Sequence, residues 1–182
     1  MCLLLISGFT KAQSDTLNTP IEFSAITQVD SSIKAEELYR RAKRWVGDYF
    51  KSGKDVIQID DKDNYEIVGR GWMPAPIEAL GGITQNSGVI WFKVHIYCKQ
   101  GRYKYTINDF VHEGEKAVKY PWPDIGLLTT NPEPPEFYLA FCGPKLKTKL
   151  WENLKDDAKS NSQLIITSLT KAMVQTSPTD NW

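Results

Sequence analysis

Two long segments rich in apolar side chains, joined by a tight turn, constrain the fold of this chain more than any other feature. Residues 89–99 and 102–112 are dominated by β-branched and aromatic side chains, and Gln100-Gly101 stands between them. A two-residue connection with glycine in second place is typical of a β-hairpin. If the hairpin closes there, residues whose numbers sum to 201 lie opposite each other. The sequence therefore predicts an antiparallel sheet built around this hairpin.

That register sorts the side chains of the hairpin onto two faces, because successive residues of a strand point to opposite sides. One face is mostly apolar and is expected to meet helices. It carries Phe92, Val94, Ile96, Cys98, Tyr103, Tyr105, Ile107 and Asp109. The other, which we call the outer face, is mixed and is expected to meet water or a ligand. We predict a ligand-binding surface there, formed by Trp91, His95, Tyr97, Lys104 and Phe110, with Trp72 as a further aromatic candidate.

Apolar residues at helical spacing predict two helices. The first carries a single apolar stripe over roughly 20 residues and is expected to end at Gly53. Its stripe consists of Leu38, Ala42, Trp45, Val46, Tyr49 and Phe50. The second begins near Leu146 and runs to Met173, and the polar run Ser160-Asn161-Ser162 is expected to kink or split it.

Shorter β-type segments complete the predicted sheet. Residues 21–29 and 56–59 read as strands, and 65–72 reads as a strand in which Gly69 and Gly71 indicate a bulge or the close approach of another backbone. The predicted order is strand, helix, four strands, helix. An antiparallel sheet of about five strands with both helices on one face is an α+β two-layer sandwich.

The first twelve residues are typical of a secretory signal peptide. An apolar run, Cys2 to Phe9, is followed by Thr10-Lys11-Ala12, whose small residues fit a cleavage site before Gln13. The charged n-region is absent, which leaves open a late start or a truncation at Met1, and a buried strand or helix segment is the alternative reading. No lipoprotein cleavage site precedes Gln13. The sequence predicts a periplasmic or secreted protein, peripheral to a membrane at most.

We predict one folded domain in the remainder, over residues 21–176, preceded by a flexible segment at 13–20 and followed by a frayed tail at 177–182. Residues 113–145 hold six of the ten prolines and are predicted to form a long irregular loop. Its aromatic side chains, such as Trp122, favour a loop packed onto the domain, with a docking segment as the alternative.

The balanced charge and the placement of the histidines argue against nucleic-acid binding and against a metal site. The 22 Lys and Arg residues balance 22 Asp and Glu residues, so the chain lacks the basic excess typical of nucleic-acid-binding proteins. No metal site is predicted, because His95 and His112 would lie roughly 20 Å apart on the outer face. No cofactor motif is present. Cys98 and Cys142 could form a disulfide in an exported protein or remain two unpaired thiols, and the sequence leaves both open.

Two short motifs resemble a known family. Glu37-Leu38-Tyr39 through Ala42 and Trp45 resembles its first helix, and Lys99-Gln100-Gly101-Arg102-Tyr103 followed by Ile107-Asn108-Asp109 resembles its hairpin. The family is the bacterial exported domain of unknown function with a TATA-box-binding-protein (TBP)-like fold, and the resemblance covers most of residues 21–173. It implies the two-layer fold. It implies no catalytic residue, and the fold name alone does not bring DNA binding with it.

Two classes of function fit these features. The first is a non-enzymatic binding or interaction module of the cell envelope, whose partner is an envelope protein or a glycan and whose surface is the outer face. The alternative is a hydrolase of an envelope polymer, with Asp109 and Glu66 as candidate carboxylates by position only. No nucleophile-elbow, zinc-protease or Cys/His pattern supports an enzyme, so the sequence favours the binding module. A structural subunit of a larger assembly is a third possibility.

Overall fold

The protein folds as one antiparallel sheet with two helices. The computed structural model describes residues 18–50, 56–78, 84–116, 121–137 and 143–175. Its elements in chain order are β1 (Phe23–Gln28), α1 (Ala35–Phe50), β2 (Ile57–Asp61), β3 (Glu66–Glu78), β4 (Thr84–Lys99), β5 (Arg102–Gly114), β6 (Gly126–Leu127) and α2 (Pro144–Val174). The strands lie in the order β1-β5-β4-β3-β2, and β6 also pairs with β5. The predicted α+β class with two helices is confirmed, with one short strand added.

The central hairpin has the predicted register over most of its length. The pairs from Lys99↔Arg102 to Lys93↔Asn108 follow the predicted sum of 201. Gly101 has a φ of 67°, a left-handed conformation that a glycine adopts without steric cost. The turn is also held from outside, because the Gly101 N–H donates to the Ile33 carbonyl at 3.0 Å.

A β-bulge at Asp109 ends this register and reverses the faces beyond it. Asp109 has a φ of 54°, and past it the pairs are Trp91↔Val111 and Ile90↔His112. One extra residue in one strand moves every later side chain to the opposite side of the sheet. The prediction that Phe110 and His112 lie on the outer face is therefore wrong, since both are buried on the helix side. The predicted core position of Asp109 is also wrong, because Asp109 is exposed.

Helix α1 packs most of its predicted apolar stripe on the sheet, while Tyr49 near its end is 37% exposed. Its buried residues are Leu38, Tyr39, Ala42, Trp45 and Val46. The helix lies over the glycine pair of β3: a Cβ atom added at Gly71 would lie 2.4 Å from a Phe50 ring carbon, and one at Gly69 would lie 3.2 Å from Val46. The paired glycines thus make room for side chains of a helix, and not for a second backbone.

Helix α2 is one continuous helix, so the predicted split at Ser160-Asn161-Ser162 is wrong. Ser162 is buried in it, and its hydroxyl donates to the Ala158 carbonyl at 2.6 Å. A serine that bonds back to the preceding turn is compatible with a helix interior. Two side chains of α2 also hold the proline-rich loop, since Trp151 Nε1 and Lys155 Nζ donate to the Asn131 carbonyl at 2.8 and 3.0 Å.

Several predictions fall on residues outside the described ranges. These are the signal peptide at 1–12, residues 13–17 of the predicted flexible segment, the end of the first helix at Gly53, the tail at 177–182, and Cys142. Cys98 is buried as a free thiol, and this burial raises its pKa to about 12. Neither of the described helices is long and apolar enough to cross a membrane.

Candidate functional site

The outer face of the sheet carries most of the exposed large apolar side chains. Both helices pack on the opposite face, where the core lies. Nine large hydrophobic residues are exposed among those the structure describes, and the strand registers place six of them on the outer face. The six are Ile26, Ile59, Trp72, Tyr97, Val111 and Leu127. Since soluble proteins rarely collect such residues on one side, the outer face is the candidate functional surface.

Four apolar side chains form a row across this face. Trp72 of β3 lies opposite Trp91 of β4, Trp91 lies opposite Val111 of β5, and Val111 lies opposite Leu127 of β6. We call these four residues the apolar row. Adjacent strands are about 4.8 Å apart, so the row is about 14 Å long. Trp72 is the most open member, with 59% of its surface exposed.

Trp91 is fixed in place by its neighbours. Its indole Nε1 donates to the Glu113 carboxylate at 2.9 Å, and the Arg70 guanidinium lies 4.3 Å from the ring centroid. An arginine over an indole face contributes a cation–π attraction. Trp91 therefore presents a rigid aromatic surface beside the exposed Trp72. A partner that binds Trp91 does not have to order this side chain, so binding there costs less conformational entropy.

A shallow polar depression lies nearer the Gln100-Gly101 turn. It has a volume of about 190 Å³ and is lined by Glu66, His95, Tyr97, Lys104, Thr106 and Asn108. A hydrogen bond to Glu66 raises the pKa of the Tyr97 phenol. Among the described residues, Asn108 Oδ1 has no hydrogen-bond partner. The depression brings together three of the five predicted site residues, His95, Tyr97 and Lys104.

The other two predicted residues lie elsewhere. Trp91 is on the outer face but four residues from His95, about 13 Å along the strand. Phe110 belongs to the core, with its ring stacked on Phe92 at a centroid distance of 6.1 Å. In its place the bulge turns Val111 outward. Sequence reasoning missed this exchange, although aspartate is among the residue types enriched at positive φ. It also missed Leu127, which reaches the row only through the pairing of β6.

Two rows of side chains on the outer face carry charges of opposite polarity. In the first, Glu66 on β3 and Lys104 on β5 flank Tyr97 on β4. In the second, Arg70 on β3 and Asp109 on β5 flank Lys93 on β4, and Lys93 Nζ lies 2.8 Å from Asp109 Oδ2. The sign therefore changes from negative to positive across one row and from positive to negative across the other.

The two carboxylates considered for hydrolysis are not placed for it. Glu66 pairs with Tyr97 and Asp109 lies beside Lys93, so they are separated by about 13 Å along the strands and by two strand spacings. Paired glycosidase carboxylates are about 5 to 9.5 Å apart. Within the described ranges, no three His, Cys, Asp or Glu side chains are grouped as ligands for a metal ion.

His112 forms a buried polar link on the core side. The Ile125 N–H donates to Nδ1 at 3.4 Å, and Nε2 lies 3.4 Å from the Ser87 hydroxyl, which donates to the Ala75 carbonyl at 2.7 Å. The neutral tautomer with its proton on Nε2 satisfies all three contacts. Burial of the imidazole lowers its pKa to about 4. His112 thus joins β5 to β3, β4 and the loop before β6 only while it is uncharged.

We expect His112 to make the fold acid-sensitive. Its pKa is about 4 when folded and about 6.5 when unfolded, so the unfolded chain binds the additional proton between these values. This contribution is fully present above pH 6.5 and is lost as the pH falls toward 4. Between pH 7.5 and 5 the loss should be about 2 kcal/mol. Urea unfolding at both pH values measures it. His112→Gln should lack this component, and identical pH profiles for the two proteins would contradict it.

Comparison with known proteins gives the chain a family. A family model described as a domain of unknown function (DUF4468) with TBP-like fold matches residues 23–113. The chain belongs to this family. The matched part of the DUF4468 domain runs from β1 into the end of β5 and includes the bulge and both charged rows. The family resemblance inferred from the sequence is confirmed. No curated protein matches the chain.

Two solved structures share the fold of this DUF4468 domain. A DUF4468 family protein from Bacteroides ovatus is 14% identical, with a TM-score of 0.57 and coverage of 87% of this chain and 89% of that one. A TBP-like protein from Parabacteroides distasonis is 13% identical, with a TM-score of 0.55 and coverage of 85% and 92%. These likenesses show the TBP-like α+β fold. A shared fold does not carry a shared ligand.

Proposed function

We propose that this DUF4468 domain is a non-enzymatic interaction module of the cell envelope, and that the outer face of its sheet is the interaction surface. The observation that carries the proposal is the concentration of exposed large apolar residues there, six of nine among the described residues. An exposed apolar patch rimmed by charged side chains is typical of a protein–protein contact.

The chemistry of the outer face supports association over catalysis. Its aromatic side chains, Trp72 and Trp91, are of the type that supplies most of the binding energy in protein interfaces. The depression lined by Glu66, His95 and Lys104 is shallow, and the carboxylates Glu66 and Asp109 are too far apart for paired acid–base work. The balanced charge of the chain favours a protein over a nucleic acid. The signal-peptide pattern at residues 1–12 supports an envelope location.

Photo-cross-linking in the bacterium that makes the protein tests this function. A photo-reactive phenylalanine analogue is placed at Trp72, at the open end of the apolar row. The matched control carries it at Leu164, which is 64% exposed on α2. We expect a covalent adduct from position 72 and little from position 164. Equal yields at the two positions, or no adduct at 72, would contradict the proposal.

A further inference from the structure

The charge pattern of the outer face is complementary to itself. A two-fold axis parallel to β4 exchanges the positions of β3 and β5 between two copies that face each other. Glu66 then faces Lys104 of the second copy, and Arg70 faces Asp109 of the second copy. Both contacts occur twice by symmetry, which gives four opposite-charge contacts.

The same axis also matches the apolar row to itself. Trp91 lies on β4 and faces Trp91 of the second copy, while Trp72 faces Val111 of the second copy. Lys93 also faces its own equivalent, but its charge is balanced by Asp109 at 2.8 Å in the same copy. Lys99, the last residue of β4, also faces its own equivalent, but it is exposed beside the turn, where its side chain can extend into water.

We propose that the outer face is covered by a second copy of this chain, in a two-fold dimer that packs sheet on sheet. The inference rests on the proposed function and names its partner. Sheets pack about 10 Å apart with strands within about 30° of parallel, a gap that side chains such as Trp, Arg and Lys fill from both sides. In such a dimer Trp72 would be buried, whereas 59% of its surface is exposed in the isolated domain.

The size of the outer face fits a stable interface. Five strands span about 19 Å across the sheet, and eleven residues of a strand span about 36 Å, so one copy presents roughly 700 Å². Two copies would bury roughly 1,400 Å², within the range of specific protein–protein interfaces. The apolar row would form one part of this interface and the charged rows another.

Charge reversal tests the dimer and its register together. We expect sedimentation equilibrium of the purified full chain to show a concentration-dependent monomer–dimer equilibrium. Glu66→Lys and Lys104→Glu should each raise the dimer dissociation constant about tenfold or more, because each places two like-charge contacts across the axis. The double variant carrying both changes should return it to near the unaltered value. Leu164→Asp, on α2, is the matched control and should have no effect.

Some outcomes would contradict the dimer without contradicting the proposed function. A chain that stays monomeric at all concentrations overturns the dimer, and so does a dimer that does not respond to either reversal or is not restored by the double variant. Neither result affects the cross-linking of position 72 to a different envelope protein, which would leave the interaction surface standing. Circular dichroism of each variant confirms that the fold is retained.

Discussion

Deletion of Asp109 is expected to change the free energy of unfolding by no more than about 1 kcal/mol, although it removes a residue from within the long strand β5. Asp109 is the extra residue of the bulge, and without it β5 returns to a regular register with β4. The pairs Lys93↔Asn108 and Trp91↔Val111 would then follow each other without an irregularity, and Phe110 and His112 would keep their places in the core. If Phe110 left the core instead, the loss would be about 3 to 5 kcal/mol.

Substitutions at the same position separate the bulge from the side chain. Asp109→Gly keeps the number of residues in the bulge and removes the steric strain of a left-handed backbone, which glycine adopts freely. It also removes the partly exposed ion pair with Lys93. We expect its net effect to stay within about 1 kcal/mol of zero. Asp109→Val should destabilise the protein by about 1–3 kcal/mol, because a β-branched residue is strained at positive φ. Urea unfolding measures all three, and a loss of about 3 kcal/mol or more on deletion of Asp109 would contradict the bulge.

Trp151→Ala is expected to cost about 3–5 kcal/mol. The indole is fully buried between α2 and the proline-rich loop, and its Nε1 donates to the Asn131 carbonyl at 2.8 Å. The substitution leaves a cavity and removes one of the two donors to that carbonyl. The other donor, Lys155 Nζ at 3.0 Å, keeps the carbonyl partly satisfied.

Trp151→Phe isolates the hydrogen-bond part of this contact. The phenyl ring fills much of the site but cannot donate to Asn131, so the expected loss is about 1–2 kcal/mol. Proteolysis should also begin sooner within residues 121–137 in the alanine variant, because the loop loses its anchor. If Trp151→Ala unfolds at the same urea concentration as the unaltered protein, the loop is not held by this contact.

Features set by local pattern could be predicted from the sequence. The Gln100-Gly101 hairpin and the stripe of α1 depend on residue spacing within one element, and both agree with the structure. The alternation of side chains along the hairpin also predicted that His95, Tyr97 and Lys104 share one face. They do so because the register is regular between the turn and Lys93.

Features set by a single irregularity or by distant pairing could not be predicted. One residue, Asp109, decides whether Phe110 or Val111 joins the outer face, and alternation of polar and apolar residues does not reveal an inserted position. Leu127 joins the apolar row because two residues of a proline-rich loop pair with β5. The continuity of α2 through Ser160-Asn161-Ser162 is not indicated by the polar composition of this run, in which the Ser162 hydroxyl bonds back to the Ala158 carbonyl.

The cross-linking yield at position 72 relative to position 164 is the most direct measurement of whether the outer face is an interaction surface. The two variants should be compared in intact envelopes and as dilute purified protein, because a partner is bound in the envelopes and is absent from the dilute protein. The structure predicts that the ratio is high in envelopes and falls toward one on dilution, since both positions are exposed in the isolated domain. A ratio near one in both conditions would contradict an interaction surface on the outer face.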